Sequence, residues 1–241
     1  MKVLILTSEM RIGGTCRDAV EWANRLAGRG DVVVLIAQSA TGEGVDRLSP
    51  AVKLEGLGGG RALLSAGRLL RLLRRHPEAA ILANAGTLAG LAIIFRGLGL
   101  IGQRIIYVDP FNPADTFRRD RKTAAIYRHL LWRVDAFVHL SDFAERFHQK
   151  LGLCPDKSWQ IPNISNRSIE AASVRPLGPA LRCVAVGRLD KIKGFDRLIG
   201  AFGKVAARWP GATLRIIGEG YDRPRLEEAI RKAGLGDCVK L

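Results

Sequence analysis

Cysteine is scarce in this sequence: four residues, Cys16, Cys154, Cys183 and Cys238, stand far apart. Such spacing excludes a zinc ribbon, a CxxC redox motif and a disulfide framework, and leaves free thiols of a reducing compartment as the plain reading. Aromatic residues make up 6% of the chain, too few for a nucleic-acid stacking platform. No long apolar run occurs. The longest, Leu88 to Phe95, stops at Arg96, far below the roughly 18 residues that a spanning helix needs. The opening MKVLILTSEMR has one lysine and a short apolar core before Glu9, which reads as a first strand and is too short for a signal-peptide core. Acid is also in deficit: 38 Lys and Arg against 23 Asp and Glu give a net charge of +15, which points to phosphates, anionic lipid or nucleic acid as partners and says nothing of fold.

Several motifs are missing as well. There is no P-loop, no nucleophile elbow and no serine, histidine and acid order of a hydrolase. His76, His129, His139 and His148 have no metal spacing and read as structural or surface residues. The run GLGLIG, with Gly97, Gly99 and Gly102, has the glycines of a dinucleotide fingerprint, but it follows a helix and leads into a strand. That context makes it a helix-ending loop.

What is present is a regular alternation. The runs 2–6, 32–37, 52–57, 79–83, 104–108 and 135–140 have strand character, and between most of them lie helical patterns at 15–28, 61–76, 87–98, 115–133 and 141–151. Nearly continuous apolar strands separated by helices imply a parallel sheet covered on both faces, an α/β fold of the doubly wound, Rossmann-like kind. After Leu151 the texture turns proline-rich and polar. The alternation restarts at 181 and runs to the end. The expected organisation is an N-terminal domain at 1–165, a linker at 166–180, and an incomplete second Rossmann-like domain at 181–241, whose sheet has too few strands to bury both faces.

Three stretches carry candidate chemistry. The loop TSEMRIGGT closes on Gly13 and Gly14 where a helix begins, which lets backbone N–H groups approach an anion at the positive helix end; the same pair is also ordinary turn chemistry. The segment GRLDKIKGF presents Arg188, Lys191 and Lys193 between a strand and a helix, the position where open α/β sheets bind ligands. Arg188 and Lys193 are the candidates for an anionic ligand and Lys191 reads as solvated; the alternative is a solvated cationic loop. The helix ALLSAGRLLRLLRRH sets Arg61, Arg68, Arg71 and Arg75 on one face, with Leu63, Leu69, Leu70 and Leu73 opposite and Leu64 and Leu72 intruding into the basic face. This suits an anionic membrane surface, with the run FRRDRK at 117–122 as a second patch; it equally suits the solvated side of a sheet-covering helix.

GRLDKIKGFDRLIGAF, followed by ATLRIIGEGYDRPRLEEAI and LGDCVKL, resembles the C-terminal domain of the family 4 retaining glycosyltransferases, which have the two-Rossmann GT-B fold. RIGGTCRDAVEWANRLAGRGDVVVL, HLSDFAERF and IPNIS are similar to that family's N-terminal domain and its crossing into the second. The resemblance implies a nucleotide-sugar donor whose diphosphate is held by Arg188, Lys193, Gly13 and Gly14. It puts Gly187, Gly218, Glu219 and Gly220 near the nucleotide, a hinge at Asn163, and a glycan or glycolipid acceptor on the N-terminal side. The two cations would stabilise the leaving diphosphate, so the transfer needs no metal and no cofactor and retains anomeric configuration. Two departures qualify this. Asp109 stands where the family usually has a histidine after the fifth strand, and is the candidate catalytic group there. The family's paired glutamates fall beyond Leu241, so the 241-residue chain is expected to bind donor weakly and to transfer little by itself. With no spanning segment and a basic surface, the expected setting is the cytoplasm, at the inner face of a membrane, with a lipid-linked sugar, a lipopolysaccharide or another envelope glycan as acceptor. The rivals are a nucleic-acid-binding protein, which the charge would serve but for which no reading helix is evident, and a sugar-nucleotide binder without turnover.

Overall fold

The computed structural model of the chain describes residues 1–11, 13–60, 62–84, 86–109, 125, 128–153, 157–163 and 181–241. Arg61, Cys154, the basic run at 117–122 and the linker expected at 166–180 lie outside the described residues. The chain divides into two compact units, Met1–Arg167 and Ser168–Leu241.

The first unit is built on seven strands: β1 (Lys2–Glu9), β2 (Val32–Ser39), β3 (Val52–Gly56), β4 (Ala80–Asn84), β5 (Ile105–Asp109), β6 (Ala136–His139) and β7 (Ser158–Gln160). They form one sheet in the order β3-β2-β1-β4-β5-β6-β7, and every neighbouring pair is parallel. Because side chains alternate across a strand, Leu4 and Leu6 of β1 enter one core with Leu69, Leu73 and Ile93, while Val3 and Ile5 enter another with Ala19, Val20 and Ala23. Both faces are therefore buried, as the continuous apolar strands require. Helix α1 (Gly14–Gly28) supplies the second core; α2 (Ala66–Arg74) and α3 (Gly86–Gly97) supply the first. A further helix, α4 (Asp142–Lys150), is capped by the Ser141 hydroxyl, which accepts from the Ala144 N–H. Among the described residues no helix is long and apolar enough to cross a membrane.

Strand β7 departs from the sequence pattern, which marks no strand in that stretch. Ser158–Gln160 pairs with β6, but it is three residues long and Trp159 is half exposed. An edge strand this short has no hydrophobic period to detect.

The second unit has three parallel strands, β8 (Arg182–Val186), β9 (Thr213–Ile217) and β10 (Val239–Lys240), in the order β10-β9-β8. Helices α5 (Phe195–Arg208) and α6 (Arg223–Lys232) share one core with Leu214, Ile216 and Val239. Burial alternates along β8 and β9, and Val184 and Val186 on the other face are 64% and 76% exposed. Among the described residues, α5 and α6 cover one face of this sheet only.

Candidate functional site

In a parallel sheet that runs outward in both directions from its first strand, ligands meet the carboxyl ends of the strands at the point where the order reverses. Here β1 lies between β2 and β4, and the loop after β1 leads through Gly13 into α1. Gly13 is extended and supplies no side-chain cap to the first N–H groups of the helix. The loop is braced from behind by the Gly44 N–H, which donates to the Met10 carbonyl at 2.8 Å. Across the crevice Asn84, at the end of β4 and 1% exposed, donates to the Thr15 carbonyl at 3.0 Å. Its Oδ1 is buried with no hydrogen-bond partner among the described residues. Nothing inside the fold demands glycine at 13 or 14. A Cβ at Gly14 would meet nothing within 4 Å, and one at Gly13 only the Arg11 carbonyl at 4.0 Å.

Asp109 is the last residue of β5, buried and paired in register with His139 of β6. Its Oδ2 stands 3.6 Å from Nε2 of His148 on α4. The rings of His139 and His148 stack at 5.1 Å; Phe137 stacks on His139 and lies tilted against His148. Burial, reinforced by His139, pushes His148 down to about 4, and burial lowers His139 as well. Both imidazoles are thus neutral near pH 7. His139 and His148, expected as structural or surface residues, are buried, and their convergence on Asp109 has no signal in the sequence, since the residues come from three separate elements. Among the described residues no group of three or more His, Cys, Asp or Glu side chains converges as a metal site would.

In the second unit the loops after β8 and β9 are laced together. Gly187 donates to Ile217, Leu189 donates to Glu219, and Asp222 donates back to the Leu189 carbonyl, at 3.0, 2.9 and 3.1 Å. Gly218 and Gly220 have an internal reason to be glycine: a Cβ on Gly218 would stand 2.0 Å from the Gly187 carbonyl oxygen, and one on Gly220 2.2 Å from that of Leu189. Their first task is to let two backbones touch. The turn itself is a short 3-10 helix, Lys191–Lys193, ended by Gly194 in the left-handed region, φ 67°, from which α5 departs.

The cations around these loops differ in availability. Arg223 is taken by Glu219 and Glu227, which also turns the Glu219 carboxylate toward α6. Arg225 is taken by Asp222 and Asp196. Arg188, largely exposed, gives one hydrogen bond, from Nη2 to Asp190 Oδ2 at 2.9 Å. Lys191 and Lys193 are exposed and make no ion pair among the described residues. The turn therefore presents uncompensated positive charge at the carboxyl end of β8. Asp190 and Tyr221 take part in this arrangement, and nothing in the local sequence singles them out.

Asn163, the expected hinge, is exposed in a stretch without regular structure after β7. The basic helix is shorter than expected: Ala62–Ser65 forms a 3-10 turn before α2. Arg68, Arg71 and Arg75 are exposed. Leu72 is buried, so it belongs to the core and does not intrude into the basic face. Leu63, expected on the core side, is 71% exposed beside Leu64 at 84%, because the 3-10 turn shifts the helical phase before α2 begins. Ser65 holds that turn near the carboxyl end of β2, where the Gln38 side-chain amide donates to the Ser65 hydroxyl at 2.9 Å and to the Gly59 carbonyl at 2.8 Å.

No protein-family model matches the chain. A stretch of 91 residues, 37% of the chain, is 34% identical to a subunit of the phosphatidylinositol N-acetylglucosaminyltransferase of Arabidopsis thaliana, and spans 20% of that protein's length. Among solved structures, Anabaena HepE in complex with UDP-glucose superposes with a TM-score of 0.77 at 18% identity, over 100% of this chain and 68% of that one. WaaG, a glycosyltransferase involved in lipopolysaccharide biosynthesis, does so with a TM-score of 0.72 at 18% identity, over 100% and 69%. The fold of the chain is that of the GT-B glycosyltransferases.

Proposed function

We propose that the chain belongs to a family 4 retaining glycosyltransferase that moves a sugar from a nucleotide-sugar donor to a lipid-linked sugar, a lipopolysaccharide or another envelope glycan, without a metal. The observation that carries this reading is the net positive turn Arg188–Lys193, in which Asp190 offsets only Arg188, at the carboxyl end of β8, the place where an α/β sheet of this kind receives its ligand. A donor diphosphate there gains charge-assisted hydrogen bonds worth about 1.5 to 3 kcal/mol each. The same contacts strengthen as the glycosidic bond breaks and negative charge collects on the departing diphosphate. That is the work a divalent ion does elsewhere. In the first unit, the open space at both Cβ positions of the glycine pair at the start of α1 supports an anionic ligand as the reason for glycine there. Asp109 is the acceptor-side polar group at the end of β5.

The exposed Leu63 and Leu64 followed by Arg68, Arg71 and Arg75 favour an anionic membrane surface, met from the cytoplasmic side, as the place where the acceptor is found. Incubation of the chain with a panel of labelled nucleotide sugars and glycolipid acceptors, with and without EDTA, tests the reading. Selective binding of one nucleotide sugar, with retained anomeric configuration in whatever transfer occurs and no effect of EDTA, supports it; failure to select any nucleotide sugar, or salt-sensitive binding of duplex or single-stranded nucleic acid, favours the nucleic-acid rival.

A further inference from the structure

Asp190 stands at the centre of the cationic turn and makes three contacts with one carboxylate. Oδ1 accepts from the Ile192 N–H at 3.2 Å, which caps the 3-10 turn, and from the Tyr221 hydroxyl at 2.7 Å. Oδ2 accepts from Arg188 Nη2 at 2.9 Å. Tyr221 belongs to the other loop, after β9, and the two residues are 31 positions apart. The Asp190 side chain is 14% exposed while that of Arg188 is 62% exposed, so the carboxylate is the fixed partner and the guanidinium the free one. An acid in a patch whose proposed ligand is an anion is costly by simple Coulomb reasoning. The geometry gives it a use. Arg188 commits one of its five N–H donors, on Nη2, to Asp190, which restrains the bearing of the guanidinium and leaves its other donors for a ligand.

We propose that Asp190, itself held by Tyr221, is a positioning residue that orients the Arg188 guanidinium for the donor diphosphate. The proposal rests on the donor-site reading given above. Fixing the fork before the ligand arrives removes part of the rotamer cost that a long exposed arginine otherwise meets on binding. The cost of a nearby negative charge is offset because Tyr221 and Ile192 already satisfy the oxygen that Arg188 does not use. The Tyr221 hydroxyl and the Ile192 N–H, with Arg188 beside them, hold the Asp190 carboxyl below its usual range, so it is an anion near pH 7.

The test is calorimetric titration of the whole chain with UDP and with inorganic pyrophosphate, for the wild type, Asp190→Asn, Tyr221→Phe, and each of these combined with Arg188→Ala. Asn caps a turn about as well as Asp but does not grip a cation, so a purely structural Asp190 leaves affinity unchanged in Asp190→Asn. Positioning predicts a loss of about threefold to tenfold for Asp190→Asn, a smaller loss for Tyr221→Phe, and no further loss from either once Arg188 is gone. Unchanged or tighter binding by Asp190→Asn overturns the proposal and leaves the donor site standing. An equal loss with and without Arg188 also overturns it, since Asp190 would then act through the turn. If the wild type binds neither probe, the donor-site reading falls and the proposal falls with it.

Discussion

Gly218 and the carbonyl of Gly187 are so close that a Cβ on Gly218 would stand 2.0 Å from the oxygen. No side chain fits there, and the obstacle is backbone that cannot swing aside. Gly218→Ala is expected to destabilise the second unit by about 2 kcal/mol or more, read as a fall in its urea midpoint. A wild-type midpoint in the variant means that the two loops part more easily than their hydrogen bonds suggest.

At Gly14 the opposite is expected. A Cβ there meets nothing within 4 Å, and alanine is the better helix former by about 0.5 to 1 kcal/mol. Gly14→Ala should hold or raise the melting temperature while weakening any binding of an anion such as inorganic pyrophosphate at the start of α1, because the new methyl would crowd a ligand approaching the first N–H groups of the helix. Thermal melting and titration on one sample separate the two effects. Loss of both together would make this glycine structural.

His148 sets an acid limit. Its pKa is 6.5 in the unfolded chain and about 4 when folded, so between those values the unfolded state holds more protons. Stability is therefore full above about pH 6.5, falls as pH drops toward 4, and stops falling through this group below that. The full span amounts to about 3 kcal/mol. His139, lowered in the same direction, adds to the slope. His148→Phe, which keeps a ring in the stack, should flatten the stability profile over this window as measured by urea unfolding at a series of pH values; a slope as steep as the wild type's would assign the acid sensitivity elsewhere.

Leu63 and Leu64 give the membrane reading a test that does not depend on catalysis. Both side chains are mostly exposed, so Leu63→Ser with Leu64→Ser should leave thermal stability within about 0.5 kcal/mol. Co-sedimentation with vesicles containing anionic lipid is expected to drop severalfold in this variant, and again in raised salt as Arg68, Arg71 and Arg75 are screened. Equal sedimentation of variant and wild type would remove these leucines from the membrane contact.

The sheet of the first unit is legible in the sequence because its strands are apolar on both faces and its helices are long enough to show their period. β7 is not, because three half-exposed residues have no period to read. The cationic turn that carries Arg188 and Lys193 is legible in the sequence, since a turn between an apolar strand and a helix is a local feature. The bond from Tyr221 to Asp190 cannot, because it exists only once the backbones at Gly187–Gly218 and Leu189–Gly220 are in contact. The arginine helix departs from its sequence period at the first turn, where a 3-10 step rotates Leu63 outward. The stacked histidines beside Asp109 lie beyond reach for the same reason as Tyr221: three elements must pack before they meet.

The most direct measurement is a calorimetric titration of the chain with UDP, UMP and uridine, repeated on Lys193→Ala and on Arg188→Ala with Lys193→Ala. If the turn after β8 holds a diphosphate, UDP binds well above UMP, uridine binds least, and each lost cation weakens UDP by about tenfold or more while leaving UMP much less affected. Equal affinity for UDP and UMP, or a double variant that binds UDP as the wild type does, contradicts a diphosphate site on Arg188 and Lys193.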